Sequence, residues 1–314
     1  MLSVLSITLP IFALVGLGYI LTYRRVFAPR DMAVLGNFVM SVALPALLFQ
    51  TTATRPFGEL VDPVFFGLLA LAGLSTQALI WLVLKLGRIG PARRAIGVLG
   101  AATPNSAFLA FPMMIILFPD YAPQILAMCL LVENFVLSPV GLMLVGAATP
   151  QRSQSAWARL GTLVLSVLRR PFVIGLILGA VVSISGLHLP VAMERTLTLL
   201  SQAASPLALF FIGGSLVGLP LRGNLPLAGT ITAFKLLVHP LMAFLWIGVI
   251  GLVGLGLPNA DWEHALILSA AMPIFGVFPL LAKDTGHAGA ASLAVMVSTI
   301  AAFVTLTVLV AVML

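Results

Sequence analysis

Charge is what this 314-residue chain has least of. Charged residues make up 8% of it, where soluble domains carry roughly 25%. That scarcity excludes a sizeable soluble domain, and with it a receptor that signals through one. Acidic residues are scarcer still, 9 Asp and Glu against 16 Lys and Arg. The basic excess does not point to nucleic acid, because the cations are scattered through short loops instead of gathered on one face. A single cysteine, Cys129, stands in an apolar stretch. It excludes an intramolecular disulfide and a cysteine-based metal site. There is no H-E-x-x-H, no pair of aspartates at protease spacing and no Ser/His/Asp set at one depth, so a membrane enzyme is not expected. The first 22 residues lack a basic start and a small-residue cleavage site, and are expected to form a span and not a signal peptide.

What is present is hydrophobic sequence: 61% of the residues, with mean hydropathy +1.18. A span needs about 20 apolar residues, and ten such segments fit, near 2–23, 32–53, 63–85, 95–118, 124–147, 171–187, 196–219, 227–256, 264–282 and 288–313. The longest connection, 148–170, reads as a cytoplasmic linker with an interfacial Trp157. With the N-terminus outside, thirteen of the 16 basic residues fall in inner loops: Arg24, Arg25, Arg30, Lys85, Arg88, Arg93, Arg94, Arg152, Arg159, Arg169, Arg170, Arg222 and Lys283. Arg55 and Arg195 fall outside and Lys235 within a span. Glu59, Asp62, Asp120, Glu194, Asp261 and Glu263 lie on the outer side. This asymmetry orients the chain with both termini out. Five spans then precede the linker and five follow in the opposite sense, as an inverted-topology repeat requires. The halves are 1–147 and 171–314.

Two stretches interrupt the hydrophobic pattern. Span four carries Ala101-Ala102-Thr103-Pro104-Asn105-Ser106-Ala107-Phe108-Leu109-Ala110-Phe111-Pro112, and span nine carries Ala270-Ala271-Met272-Pro273-Ile274-Phe275-Gly276-Val277-Phe278-Pro279. Each proline removes an N–H and clashes with the carbonyl four residues back. A freed backbone group at membrane depth is tolerated where protein or water satisfies it, which is where transporters place substrate. Spans two and seven echo one another too, through Leu44-Pro45-Ala46-Leu47-Leu48-Phe49 and Ser205-Pro206-Leu207-Ala208-Leu209-Phe210-Phe211.

At these residues the chain resembles the auxin efflux carrier family, which includes plant carriers and bacterial permeases for malonate- and malate-like acids. The Pro104-Asn105 pair with Pro112 matches the first crossover of that family, with Ala110 where a glycine is usual. Pro279-Leu280-Leu281-Ala282-Lys283-Asp284 resembles the exit from the second crossover. The resemblance covers essentially the whole chain. It implies an all-α, ten-helix fold shared with bile-acid transporters and sodium/proton antiporters, with helices 4 and 9 broken and crossing. It further implies a scaffold of spans 1, 2, 6 and 7, a transport domain of spans 3–5 and 8–10, and elevator-like movement of one against the other. Where the family has a second amide after the second-crossover proline, Ile274 stands instead. The long hydrophilic loop of many plant members is absent.

Few polar groups need placing. Residues Pro104, Asn105, Ser106, Pro273, Ile274 and Lys235 are the expected substrate-binding set. Half-helix N-termini present free N–H groups and partial positive charge, which suit a carboxylate. Asn105 either donates its amide to that anion or caps the second half-helix. Glu133 and Asn134 in span five, with Lys235 and His239 in span eight, form a coupling or structural ion-pair set. A charge at helix centre costs about 2.5–3.5 kcal/mol on insertion scales, so an acid and a base there usually pair or line a pathway. Gln77 and Asn37 are placed to bridge helices, and Gly175-x-x-x-Gly179 is a candidate packing face. Phe108, Phe111, Phe275 and Phe278 either line an apolar part of the pocket or pack.

The expected function is secondary transport of small organic anions, most simply carboxylates. The alternative is a cation/proton antiporter of the same fold, with Glu133 as carrier. Expected partners are the anion, a proton or sodium ion for coupling, membrane lipids and a second copy through the scaffold. No cofactor, metal or nucleic acid is expected. The expected location is a bacterial inner membrane.

Overall fold

The computed structural model describes residues 2–54, 61–148, 156–187, 189–219 and 224–313. Arg55, Glu59, Arg152 and Arg222, and the side chain of Trp157, lie outside the described residues. The chain is helical, and the one β-type pairing among the described residues is an isolated bridge between Pro104 and Ile274.

Thirteen α-helical elements follow in order among the described residues: α1 Leu2–Tyr23, α2 Pro29–Ala53, α3 Pro63–Leu86, α4 Pro91–Ala102, α5 Ser106–Leu117, α6 Ala122–Ala147 and α7 Ala156–Leu168. They continue as α8 Pro171–Ser185, α9 Val191–Ser215, α10 Leu225–Leu252, α11 Ala260–Ala271, α12 Phe278–Leu281 and α13 Ala288–Met313. Seven of them (α1, α2, α3, α6, α9, α10 and α13) are long and apolar enough to cross a membrane. This is a polytopic all-α membrane protein. Three of the ten expected spans differ from single long helices. Span six is the 15-residue α8, and spans four and nine are split into α4–α5 and α11–α12. The linker holds a helix of its own, the 13-residue α7.

The helix starts follow sequence chemistry. Proline stands at the first or second position of α2, α3, α4, α6, α8 and α10, where its missing N–H has no partner to lose. Asp62, Asn224 and Asn259 cap α3, α10 and α11 by accepting from Phe65, Leu227 and Trp262 N–H at 2.7, 3.1 and 3.2 Å.

Four helices widen into a π turn ahead of an internal proline. The turns are Val39–Ala43 before Pro45, Ser106–Ala110 before Pro112, Glu133–Leu137 before Pro139, and Phe234–Val238 before Pro240. The carbonyl that each proline would strike belongs to Ser41, Phe108, Phe135 or Leu236, inside its own π turn. Widening to i→i+5 bonding relieves that clash. Ser106, Glu133, Asn134 and Lys235 all sit in these turns. Pro10 and Pro206 sit inside α1 and α9 with α-helical backbone on both sides.

The closest helix pairs are α1 with α9 and α2 with α8. Gly18 and Gly213 bring α1 and α9 together, facing the carbonyls of Phe210 and Val15. A Cβ on Gly175 would lie 2.5 Å from the Pro45 carbonyl oxygen, and Gly179 faces the Phe49 carbonyl. The Gly175-x-x-x-Gly179 face therefore packs α8 on α2. Thr52 Oγ1 crosses the same seam to the Leu176 carbonyl at 3.2 Å.

A large apolar core joins α1, α2, α3, α6, α11 and α13, and a second gathers Ile80, Ile96, Leu99, Ile231, Ile274 and Phe278 where α3, α4, α10 and α12 meet. The two breaks lie between these cores.

Candidate functional site at the two helix breaks

The breaks in α4–α5 and α11–α12 meet. The Asn105 N–H donates to the Pro273 carbonyl at 2.9 Å, and Pro104 pairs with Ile274 as the antiparallel bridge. Thr103 is extended on one side of the contact and Met272 on the other. The contact answers part of the backbone deficit the prolines create. Ile274 N–H finds the Ser298 hydroxyl of α13 at 3.3 Å, and Ser298 donates onward to the Val295 carbonyl at 3.0 Å.

Asn105 occupies the N-cap position of α5, yet its side chain makes no capping bond. Its carbonyl accepts from Leu109 and Ala110 N–H at 3.1 and 3.2 Å, so the backbone alone starts the half-helix. Among the described residues its side-chain amide has no hydrogen-bond partner, and the residue as a whole is 5% exposed. Between the two roles open to it, the cap is not the one Asn105 plays. Ile274, in the matching place on the second break, is 0% exposed and lies in the second apolar core.

Glu133 and Lys235 are both buried, but they do not meet. Among the described residues the ion pair within 4.0 Å joins Arg30 and Asp31. Each buried charge instead serves one broken helix. The Glu133 carboxylate accepts from the Ser106 hydroxyl at the N-terminus of α5. The Lys235 ammonium donates to the Ala270 carbonyl in the last turn of α11 at 2.5 Å, and lies 3.0 Å from His239 Nδ1. An anion at a helix N-terminus and a cation at a C-terminus each oppose the local end of the helix dipole. The expected direct pair is thus replaced by two terminus contacts, with the crossover between the charges.

Asn134, next to Glu133, donates to the Leu130 carbonyl at 2.8 Å and accepts from Arg170 Nη1 at 2.5 Å. Arg170 precedes α8, so this bond ties α6 to the α8 end of the chain. Charge counting alone put Arg170 in a loop, and its reach to the crossover region had no local signal in the sequence. Ser298 was missed for the same reason.

His239 is fully buried, and its Nε2 has no hydrogen-bond partner among the described residues. Gln77 bridges α3 to α6 through the Leu137 carbonyl at 2.9 Å. Asn37 does not bridge helices: it accepts from Ser41 of its own helix at 3.0 Å, one turn on. Phe111 and Phe278 pack in the cores, Phe275 lies 5.8 Å from Phe278, and the Phe108 ring lies tilted against Phe211 of α9 with centroids 5.0 Å apart. A cavity of about 650 Å³ lies elsewhere, in an apolar groove between Leu241, Phe244, Val304 and Val308 with His264 and Thr305 as its polar edges.

A polytopic helical protein with two helix breaks in backbone contact, and buried charges on their termini, has the build of a membrane transporter. The chain belongs to the membrane transport protein family, which matches residues 3–310. The resemblance to auxin efflux carriers is thereby borne out, and the family's members are transporters and not enzymes. The chain is 27% identical over 278 residues to a protein of Rhizobium meliloti (strain 1021) named for malonate transport, covering 87% of this chain and 84% of that one. It is 25% identical over 272 residues to the uncharacterized transporter YfdV of Escherichia coli (strain K12), covering 84% and 83%. It is 29% identical over 285 residues to the lysosomal cholesterol signaling protein of Mus musculus, covering 86% of this chain and 32% of the mouse protein.

Proposed function

We propose that the protein carries small carboxylate anions across the membrane, with the anion bound at the first break. The observation that carries this reading is the Asn105 amide, held at a half-helix N-terminus and without a hydrogen-bond partner among the described residues. The N-terminus of α5 supplies partial positive charge and unpaired N–H groups. Pro104, Ser106 and Pro273 shape the same spot, Ile274 backs it from within the second apolar core, and Lys235 adds positive potential from behind Ala270. The relative named for malonate transport makes short dicarboxylates the first class to try.

Glu133 shares the α5 terminus with the proposed anion. Two negative charges at one terminus oppose each other, so the anion binds best when Glu133 is protonated, and a proton travels with it. The other titratable groups nearby are Lys235, His239 and Cys129. Anion affinity is expected to fall as pH rises, and Glu133→Gln is expected to flatten that dependence. The second reading is a cation/proton antiporter on the same fold, favoured by the burial of Glu133 itself. Competition separates the two: carboxylates bind and stabilise a carrier for acids and leave an antiporter unchanged.

In this account the ten segments cross the membrane as two inverted sets of five, with both termini outside a bacterial inner membrane. The glycine-packed helices α1, α2, α8 and α9 form the scaffold. The remaining spans move as the transport body, past contacts such as Phe108–Phe211 and Asn134–Arg170. Thermal-shift screening of malonate, malate, short monocarboxylates and indole acids against the purified protein tests the anion assignment. Stabilisation by at least one class is expected, and indifference to all of them contradicts it.

A further inference from the structure

Away from the crossover, the ends of α3, α4 and α6 enclose a small pocket of about 130 Å³. Its walls include Trp81, Arg94, Ala95, Leu144 and Ala148. At about 30 Å³ per water it has room for roughly four water molecules, a space comparable to a phosphate group. Two cations converge on one ring here: Lys85 Nζ lies 4.6 Å and Arg94 Cζ 5.9 Å from the Trp81 centroid. The buried Nε of Arg94 has no hydrogen-bond partner among the described residues. A buried charged donor left unsatisfied is costly, and among the described residues no acid lies within 4.0 Å of Arg94. Beside the pocket Leu82, Val83 and Leu86 are exposed, the last at 73%. Apolar surface, a tryptophan and a basic turn in succession mark the boundary between hydrocarbon and headgroups.

We propose that this pocket binds the phosphate of an anionic phospholipid, with half-buried Arg94 as the inner donor through its buried Nε, Lys85 as the outer cation and the acyl chains lying along the exposed face of α3. Basic pockets between helices near the cytoplasmic surface suit anionic headgroups, and Arg matches phosphate oxygens in a fork. The site is independent of the substrate assignment at the crossover.

The test uses the full chain purified in detergent, with native mass spectrometry counting retained lipid and thermal shift reading stability. The probes are phosphatidylglycerol, phosphatidylcholine and inorganic phosphate. Wild type is expected to retain phosphatidylglycerol several-fold more than phosphatidylcholine and to gain several degrees from it. Inorganic phosphate is expected to give only a fraction of that gain. Arg94→Gln is expected to remove the preference, and Arg88→Gln, which removes a charge from the same turn, to keep it. Ala148→Leu fills the pocket while leaving every charge in place, and is expected to lose the preference as well. Equal retention of the two lipids overturns the site. So does an undiminished preference in Arg94→Gln or Ala148→Leu, or an equal loss in Arg88→Gln, each of which means diffuse surface attraction. A full stabilisation by inorganic phosphate alone reassigns the pocket to a free anion and overturns the lipid.

Discussion

The two helix breaks are equivalent in position and opposite in character. The first opens into a π turn that carries Ser106, continues through the 12-residue α5, and presents an amide that the protein leaves unbonded. The second is followed by a helix of four residues, and its matching side chain, Ile274, is sealed in the apolar core. The difference separates two tasks that a symmetric pair would share. The second break supplies the backbone acceptor, the Pro273 carbonyl for the Asn105 N–H, and in the proposed function the first supplies the binding chemistry. The two buried charges divide in the same way, Glu133 to the start of α5 and Lys235 to the end of α11.

The largest effect is expected from the charge that holds the second break. Lys235→Met removes the donor to the Ala270 carbonyl and the partner of His239 Nδ1, and takes away the longer-range attraction that Lys235 exerts on Glu133. Removing one member of a buried charge set costs about 3–5 kcal/mol, read as a drop in chemical or thermal stability. Glu133→Gln keeps an oxygen for the Ser106 hydroxyl and is expected to cost far less, about 1 kcal/mol. Because the charges touch different helices, the double variant Glu133→Gln/Lys235→Met is expected to recover only part of the loss. Full recovery in that mutant cycle reinstates a direct pair.

Making the second break resemble the first comes next. Ile274→Asn gives up the burial of a large aliphatic side chain, about 1.5–3 kcal/mol, and buries an amide with no arranged partner, about 1–3 kcal/mol. A clear fall in Tm is expected, without tighter anion binding. A gain in affinity at unchanged stability means that the second break faces the substrate too.

Ser298→Ala is smaller. It strips the hydroxyl from Ile274 N–H, for about 1–3 kcal/mol if the group is left unsatisfied, and is read by hydrogen exchange at Ile274. The smallest effect is at Asn37→Ala, where only a bond to the exposed Ser41 is lost. Stability is expected to change by less than about 0.5 kcal/mol.

How much of this was legible beforehand depended on whether the signal was local. Proline spacing marked both breaks, and the runs of apolar residues placed the long helices within a few residues of where they stand. The π turns were legible in principle. A polar residue five or six positions ahead of an internal proline recurs at Ser106–Pro112, Glu133–Pro139 and Lys235–Pro240. Pairing between distant helices was not legible. An acid and a base in apolar spans suggested each other as partners, but each found a helix terminus, because broken helices expose backbone charge that composition does not record. Arg170 and Ser298 act through contacts 36 and 24 residues away in sequence, where no periodicity points.

The most direct test is the affinity of wild type and Asn105→Ala for malonate, measured by calorimetry beside a melting curve for each. An amide hydrogen bond to a charged carboxylate is worth about 1.5–3 kcal/mol, and every 1.4 kcal/mol is about tenfold. The account predicts that the variant binds malonate at least about tenfold more weakly while melting at nearly the same temperature, since Asn105 holds no other side-chain bond. Equal affinity in the two proteins, with both folded, contradicts it.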